Sequence, residues 1–543
     1  MTRDPFSDAD SRLDALVRPA DWRNPRPADR YHWVVVGGGT AGLVAAAGAA
    51  SLGARVALIE RSRMGGDCLN HGCVPSKALL ASAKAAAMVR AVVADSLVPN
   101  ASPPVVDFPA VMRRMRELRS RLATNDSAVR FQGLGVDVFF GQARFVDRQT
   151  IGVDDARLRF RRALIATGAR VSMPPIPGLA TADPLTNESL FDLEQLPRRL
   201  AVLGAGPIGC EMAQAFARFG AAVVIIESGR GVLPREDRDA AVVVERALQR
   251  DGVRIRVSAS GLRVVRAENS APAESRHIAA TAETAMFDGA SSNGSGWTIQ
   301  GEGPDGMWAE TVDRILVASG RRPNIEELGL EAAGIAAGPN GVAVDDFLRT
   351  SNRLVYAAGD VCSPYRFTHA ADFMARAAIR NALFWGRSRF SSLVIPWCTY
   401  TDPEVARVGL SEQDAASMGV SFETLVQPLS EVDRAILESP PFASGRLEQP
   451  GANDEPDGFV KVLLRRGTDR IIGATLVAPH AGEMVGELTL ALQYRLGLGK
   501  LGNTIHPYPT VADAIRKLGD QYQRRRLTPG VRSMFRRWFA WWR

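Results

Sequence analysis

Trp33-Val-Val-Val36-Gly-Gly-Gly-Thr-Ala-Gly42 is a short apolar run that breaks into a glycine turn and opens onto an alanine-rich stretch. It reads as strand, turn and helix. A second strand, Arg55–Ile59, follows and ends in Glu60, which completes a βαβ unit. Gly37, Gly39 and Gly42 form a G-x-G-x-x-G directly after the strand, with Thr40 and Ala41 between the last two. Such glycines let the backbone approach a pyrophosphate, which then sits at the helix N-terminus. Glu60 lies 18 residues beyond Gly42, where an acid bonds a ribose hydroxyl pair. A glycine turn alone also serves tight packing. Strand, helix and terminal acid in their places favour a nucleotide.

The same design returns at Leu200. Its strand is Ala201–Leu203, its turn runs through Gly204, Ala205, Gly206, Pro207, Ile208 and Gly209, its helix covers about Cys210–Phe219, and its next strand, Val223–Ile226, ends in Glu227. Two such units imply two nucleotides bound at once. An acid at Glu227 would repel a 2′-phosphate and favours NADH, while Arg230 could offset that, so NADPH stays open.

At 543 residues the chain can hold about three domains. Its composition, 46% hydrophobic and 23% charged, is that of a soluble globular protein, and no run of about 18 apolar residues or signal-peptide core is seen. Five scattered cysteines (68, 73, 210, 362 and 398) exclude a secreted disulfide framework and point to a cytoplasmic protein. From Arg516 to Arg543 eight Arg and one Lys stand against one Asp, so the tail holds the +7 net charge and the rest is near neutral. A general nucleic-acid surface is not indicated. Residues 1–30, polar and with four prolines, read as a flexible, solvated extension.

Gly65-Gly66-Asp-Cys68-Leu-Asn-His-Gly-Cys73-Val-Pro-Ser-Lys77 places two cysteines five apart at the start of an expected helix. A helix N-terminus lowers a thiol pKa and favours redox or nucleophilic chemistry. The spacing by itself leaves two unrelated buried thiols open. A metal site is not expected, since no second Cys pair or His cluster accompanies them.

This segment closely resembles the active-site signature of the pyridine nucleotide-disulfide oxidoreductases, the family of mercuric reductase, dihydrolipoamide dehydrogenase and glutathione reductase. Further matches follow in the family's order: Ala166-Thr167-Gly168, Ala318-Ser-Gly320-Arg-Arg-Pro-Asn324, Tyr356-Ala-Ala-Gly-Asp360 and Tyr400-Thr-Asp-Pro-Glu-Val-Ala-Arg-Val-Gly-Leu-Ser-Glu412. The resemblance spans about residues 31–525. It implies an α/β protein with two Rossmann-like nucleotide-binding domains, for FAD and NAD(P), plus a C-terminal α+β dimerisation domain. The implied division is 31–197 and 319–390 for FAD, 198–318 for NAD(P) with an insertion near 266–308, 391–520 for the interface, and 521–543 as a basic aromatic tail. It adds Gly66, Lys77, Thr167, Gly168 and Asp360 to the FAD site and Gly320 to the NAD site. Cys73 is implied as the thiol facing the flavin and Cys68 as the interchange thiol. Lys77 and Glu211 match an ion pair near the reactive flavin nitrogen, where an ammonium stabilises negative charge.

One segment departs from the pattern. The family's disulfide reductases carry His-Pro-Thr-x-x-Glu near the C-terminus, where the His is the acid/base across a dimer interface. Here the chain reads His506-Pro-Tyr508-Pro-Thr510-Val-Ala-Asp513. Tyr508 takes the catalytic His position and Asp513 the Glu position, with His506 two residues early. A phenol, with a reference pKa near ~10, is a poor base at neutral pH. A Tyr here resembles mercuric reductase, as do Met212–Gly220 and Val432-Asp-Arg-Ala-Ile436. Yet no cysteine follows Cys398, whereas mercuric reductases carry a C-terminal pair. The expectation is a mercuric reductase-like homodimeric enzyme reducing a small-molecule acceptor: a disulfide, a metal ion or another oxidant. The rivals are a dihydrolipoamide dehydrogenase and a non-catalytic FAD-bound sensor or membrane-surface protein.

Cys210 and Cys362 read as packing, and Cys398 as a packing or auxiliary thiol. His71 tunes the cysteines or fills space, and His369 packs at the flavin edge. The tail Met534-Phe-Arg-Arg-Trp-Phe-Ala-Trp-Trp-Arg543 is basic and aromatic. It suits an anionic membrane interface, which would make the protein peripheral at the inner membrane face, and a helix covering its own protein stays open.

Overall fold

The computed structural model describes residues 5–267, 296–439 and 457–542. The opening strand is Tyr31–Val36, buried at every position but His32, as a parallel strand covered on both faces must be. It pairs in parallel with Val56–Glu60 on one side and Ala156–Ile165 on the other. Val136–Phe140 extends one edge, and Val355–Ala357 joins the end of Ala156–Ile165 from far along the chain. Ala143–Phe145 and Thr150–Val153 complete seven strands with antiparallel pairings. The helix after the glycine turn, Thr40–Ser51, packs through small side chains on Thr368–Leu383. A side chain on Gly48 would meet Ile379 Cδ1 at 2.9 Å, so the alanine- and glycine-rich composition sets how close those helices come.

The second unit forms a four-stranded parallel sheet of Arg254–Arg256, Ala222–Ile226, Arg199–Leu203 and Arg314–Val317. Its helix, Pro207–Phe219, starts three residues earlier than the sequence reading, with Pro207 in the first turn, where its missing N–H costs nothing. Ser260–Arg266, Trp297–Gly303 and Gly306–Val312 make an antiparallel flap. The first two lie on either side of the insertion expected near 266–308 and pair with each other. Most of that insertion, residues 268–295, lies outside the described residues, as do residues 440–456. The chain returns to the first sheet through Arg321–Pro323, which pairs antiparallel with Ala169–Val171.

The third body is a five-stranded antiparallel sheet, in the order Trp397–Thr399, Glu404–Gly409, Ile471–Ala478, Phe459–Arg465 and Phe422–Pro428. Helices Ala481–Gln493 and Asp513–Arg526 cover it. Lys461 is buried in this sheet and ion-pairs with Asp237 and Asp239 of the second unit, both at 2.9 Å.

The N-terminus corrects the reading of a solvated extension. Pro5–Val17 is a helix whose Ala9, Leu13 and Val17 are buried, with Leu13 and Val17 in the core of the first sheet. These three recur every four residues on one face, and Arg119 reaches in to Asp10 Oδ1 at 2.8 Å. The prolines and charges lie outside that face and dominate the composition.

Candidate functional site

Both glycine turns have the same internal construction. Gly37 and Gly204 each adopt φ 107°, and a side chain on either would collide with backbone, at 2.4 Å from Ala166 O and 2.8 Å from Ala318 O. A Cβ on Gly42 would lie 1.8 Å from Gly37 O, and one on Gly209 2.0 Å from Gly204 O. Glu60 Oε2 accepts the Gly38 N–H at 2.6 Å, and Glu227 Oε2 accepts the Ala205 N–H at 2.7 Å. Burial pushes the Glu60 carboxyl above its usual range, and the N–H bonds of Ser62 and Gly38 oppose it. The turns differ in their cover. The short helix Gly66–Asn70 comes down on the first, so that a Cβ on Gly66 would meet Gly39 Cα at 2.5 Å. Nothing stands within 4 Å of a Cβ on Gly206. Thr40 is half-buried and Ala41 buried, whereas Pro207 and Ile208 are exposed.

Cys68 lies in that short helix and Cys73 opens the helix Cys73–Ala94. Both are free thiols. Cys73 is drawn well below the usual thiol range, first by a hydrogen bond from Cys68, against burial, with Thr368 and the Lys77 ammonium adding to it. Cys68 is pushed up by the same pairing and by burial. The pair therefore holds its negative charge on Cys73 while Cys68 keeps its proton. Thr368 Oγ1 is 3.5 Å from Cys73 Sγ. Lys77, one turn on from Cys73, bonds Glu211 Oε2 at 2.8 Å across to the second unit's helix. Glu211 Oε1 accepts the Tyr400 N–H at 2.9 Å, and the Tyr400 ring lies 4.6 Å from Lys77 Nζ. The structure thus brings Cys68, Cys73, Lys77 and Glu211 together and adds Thr368 and Tyr400. Tyr400 stood in a quoted motif, but its contact with Lys77 crosses more than 300 residues of chain.

Gly168 adopts φ 70° beside Thr167, whose Oγ1 donates to Asn324 O at 2.7 Å. Asp360 is half-buried with its carboxyl pushed up by burial, and Arg321 Nε stands 3.9 Å away. Arg321 also pairs with Asp67 and lies one residue past Gly320. Arg321 Nε is buried without a hydrogen-bond partner. A cradle that no side chain can enter, a desolvated acid and an orphaned donor fit a bound dinucleotide with polar groups at this place.

Tyr508 and Asp513 do not join that cluster through any hydrogen bond or ion pair among the described residues. Tyr508, 73% exposed, precedes a cis proline and donates to Asp433 Oδ2 at 2.9 Å, which raises its phenol further. Asp513, at the position of the family's Glu, does not bond it. Instead its carboxylate is taken by Arg516 at 2.6 Å, three residues on in the same helix. His506 is tied to Thr504 O at 3.0 Å and to both Glu487 oxygens at 3.2 Å. Cys210 is buried, its thiol pushed up to about 12, and Cys362 is raised by burial too. Cys398 is also raised by burial and packs beneath Gly482. His71 is lowered by burial. His369 stacks on Phe367 and contacts Pro396 O at 2.6 Å.

Comparison with known proteins agrees with this geometry. Residues 31–375 match the pyridine nucleotide-disulphide oxidoreductase family model, and residues 395–518 match its dimerisation domain. The mercuric reductase of Bacillus cereus is 31% identical over 487 residues, covering 90% of this chain and 70% of that protein. The dihydrolipoyl dehydrogenase of Bacillus subtilis is 29% identical over 503 residues, covering 90% and 97%. Among solved structures, the HOCl-induced flavoprotein disulfide reductase RclA from Escherichia coli aligns with TM-score 0.72 at 28% identity, over 90% of this chain and 99% of that one. LpdA from Mycobacterium tuberculosis aligns with TM-score 0.74 at 26% identity, over 90% and 99%. The chain belongs to the pyridine nucleotide-disulphide oxidoreductases, a family of flavoproteins that use FAD and NAD(P)H.

Proposed function

We propose that this family member is an NAD(P)H-dependent, mercuric reductase-like oxidoreductase whose electrons leave through Cys68 and Cys73 to a small disulfide, a metal ion or another small oxidant. The observation that carries this reading is the setting of Cys73: a lowered thiol at a helix start, bonded by Cys68 and one turn from the Lys77–Glu211 pair. The first turn, with Glu60, Gly66, Thr167, Gly168 and Asp360, would hold FAD. The second, from Gly204 to Gly209 with Glu227 and Gly320, would hold NADH or NADPH. FAD, when bound, passes the two electrons of NAD(P)H to the sulfur pair.

Two electrons and one proton, the content of one hydride, turn a Cys68–Cys73 disulfide into the thiol–thiolate pair described above, and the Cys68 proton is given up again when the disulfide re-forms. The acceptor takes the electrons as the disulfide re-forms. Cys73 holds the negative charge, and Lys77 keeps an ammonium near it because Glu211 fixes its position. Cys68 carries the proton and is the thiol offered to the acceptor. The family's dimerisation domain supports a homodimer. In it Tyr508, exposed on its own protomer, would complete the partner's site. Asp433 keeps Tyr508 a proton donor at neutral pH, which suits an acceptor that needs no general base. A dihydrolipoyl dehydrogenase activity has one observation in its favour, the match along nearly the whole of that relative.

The test is NADH and NADPH oxidation by the purified protein with lipoamide, glutathione disulfide, Hg(II), Cu(II) and quinones, with Cys68→Ser alongside. Cys68→Ser is expected to lose about a hundredfold or more in turnover with the best acceptor. Full rate in that variant would mean that electrons leave without the sulfur pair. No oxidation with any acceptor would end the enzyme reading, and lipoamide as best acceptor would decide for the rival.

A further inference from the structure

The chain leaves the third body at Arg526 and, after Leu527 and Thr528, forms one more helix, Pro529–Trp541. The helix is locally specified: Thr528 Oγ1 accepts the Val531 N–H at 3.3 Å and Pro529 occupies the first turn. It buries none of its residues. An isolated helix of this length is marginal in water, so this one needs something to cover it.

Its two faces say what. At about 100° per residue, Met534, Phe535, Trp538, Phe539, Trp541 and Trp542 fall on one side of the helix. All six are exposed, and the Trp538 ring lies tilted beside those of Trp541 and Trp542 on the same side, with ring centres 5.9 and 5.8 Å apart. Arg532, Arg536 and Arg537 occupy the other side. Arg524, Arg525 and Arg526 end the preceding helix, and no Asp or Glu follows Asp520. Among the described residues no helix is long and apolar enough to cross a membrane.

We propose that Pro529–Trp541 is a membrane-surface anchor, lying in an anionic lipid interface with its Trp and Phe side in the acyl boundary and its arginines on lipid phosphates. Charge decides this occupant over a second copy of the chain. An equally basic helix from a second copy would bring arginines together with no acid in either tail, whereas an anionic surface neutralises all of them. The apolar side is rich in Trp and Phe, which prefer the headgroup level to a dry helix pair.

The test sediments the full-length protein with phosphatidylcholine vesicles and with vesicles about one-third phosphatidylglycerol. Two double variants run beside it, Arg536→Ser with Arg537→Ser and Trp538→Ser with Trp542→Ser. Thermal unfolding of each variant checks the fold independently of any catalytic reading. The expected result is binding to the anionic vesicles only, weakened at least about twentyfold in each double variant and by added salt. Equal binding to both vesicle types, or binding to neither, would overturn the proposal. So would a lipid-independent higher assembly that the Trp variant abolishes, since that would assign the face to a second copy.

Discussion

Gly37 and Gly204 share one backbone angle, and Glu60 and Glu227 each hold the next residue's N–H at nearly the same distance. What stands over the two turns is different. Gly66 closes on Gly39, and Ala41 is 5% exposed; above Gly206 there is open space, and Ile208 is 44% exposed. On the proposed reading, the same local chemistry would serve two kinds of occupancy. A covered turn suits a nucleotide that stays and shares its roof with the cysteine helix. An open one suits a nucleotide that arrives, gives up electrons and leaves.

The largest expected effect tests that contrast directly. Gly42→Ala forces a Cβ into Gly37 O, and the purified protein should hold flavin at under about a tenth of the wild-type ratio by its visible absorbance. Gly209→Ala makes the matching collision in the open turn. It should keep its flavin and lose about a hundredfold in kcat/KM for NAD(P)H. Equal flavin loss in both variants would break the distinction. A smaller effect comes from Glu227→Gln, which should lower kcat/KM for NADH about tenfold and narrow its lead over NADPH while flavin content holds. A lead for NADPH in the wild type would instead give Arg230 the deciding role.

The smallest effect lies under the roof of the first turn. The Cys73 thiol is drawn down to about 6, chiefly by Cys68, so its thiolate is expected above that pH and to be lost as pH falls through it. Alkylation of the reduced protein should follow that midpoint. Lys77→Met removes one of the groups that lowers it, and should move the midpoint up by about one unit. An unmoved midpoint would leave Cys68 and Thr368 as the whole cause.

Both glycine units were legible because their signal is local: a short apolar strand, glycines at fixed offsets and an acid about 20 residues on. The strand ends fell within about two residues of the reading. The cysteine pair was legible by motif. The N-terminal helix was hidden because three small or apolar residues carry its buried face while charges and prolines fill the rest. The partner of Tyr508 was hidden for a different reason. Asp433 lies 75 residues away in sequence, and the acid nearest in the pattern, Asp513, is claimed by Arg516 within its own helix. Long-range pairings of this kind leave no periodicity to read.

Tyr400 joins two parts of the molecule. Its N–H and its ring finish the Lys77–Glu211 pair, yet it lies in the connection between Trp397–Thr399 and Glu404–Gly409 of the third sheet, not in either nucleotide-binding unit. A fragment ending before Pro396 would keep both glycine turns and both cysteines. It would leave Glu211 with a bare oxygen and open one side of the Lys77 ammonium to water. One hold on the Lys77–Glu211 pair thus comes from a part of the chain that matches a dimerisation domain, and a shift there would be expected to loosen how the Lys77 ammonium is held beside the sulfur pair.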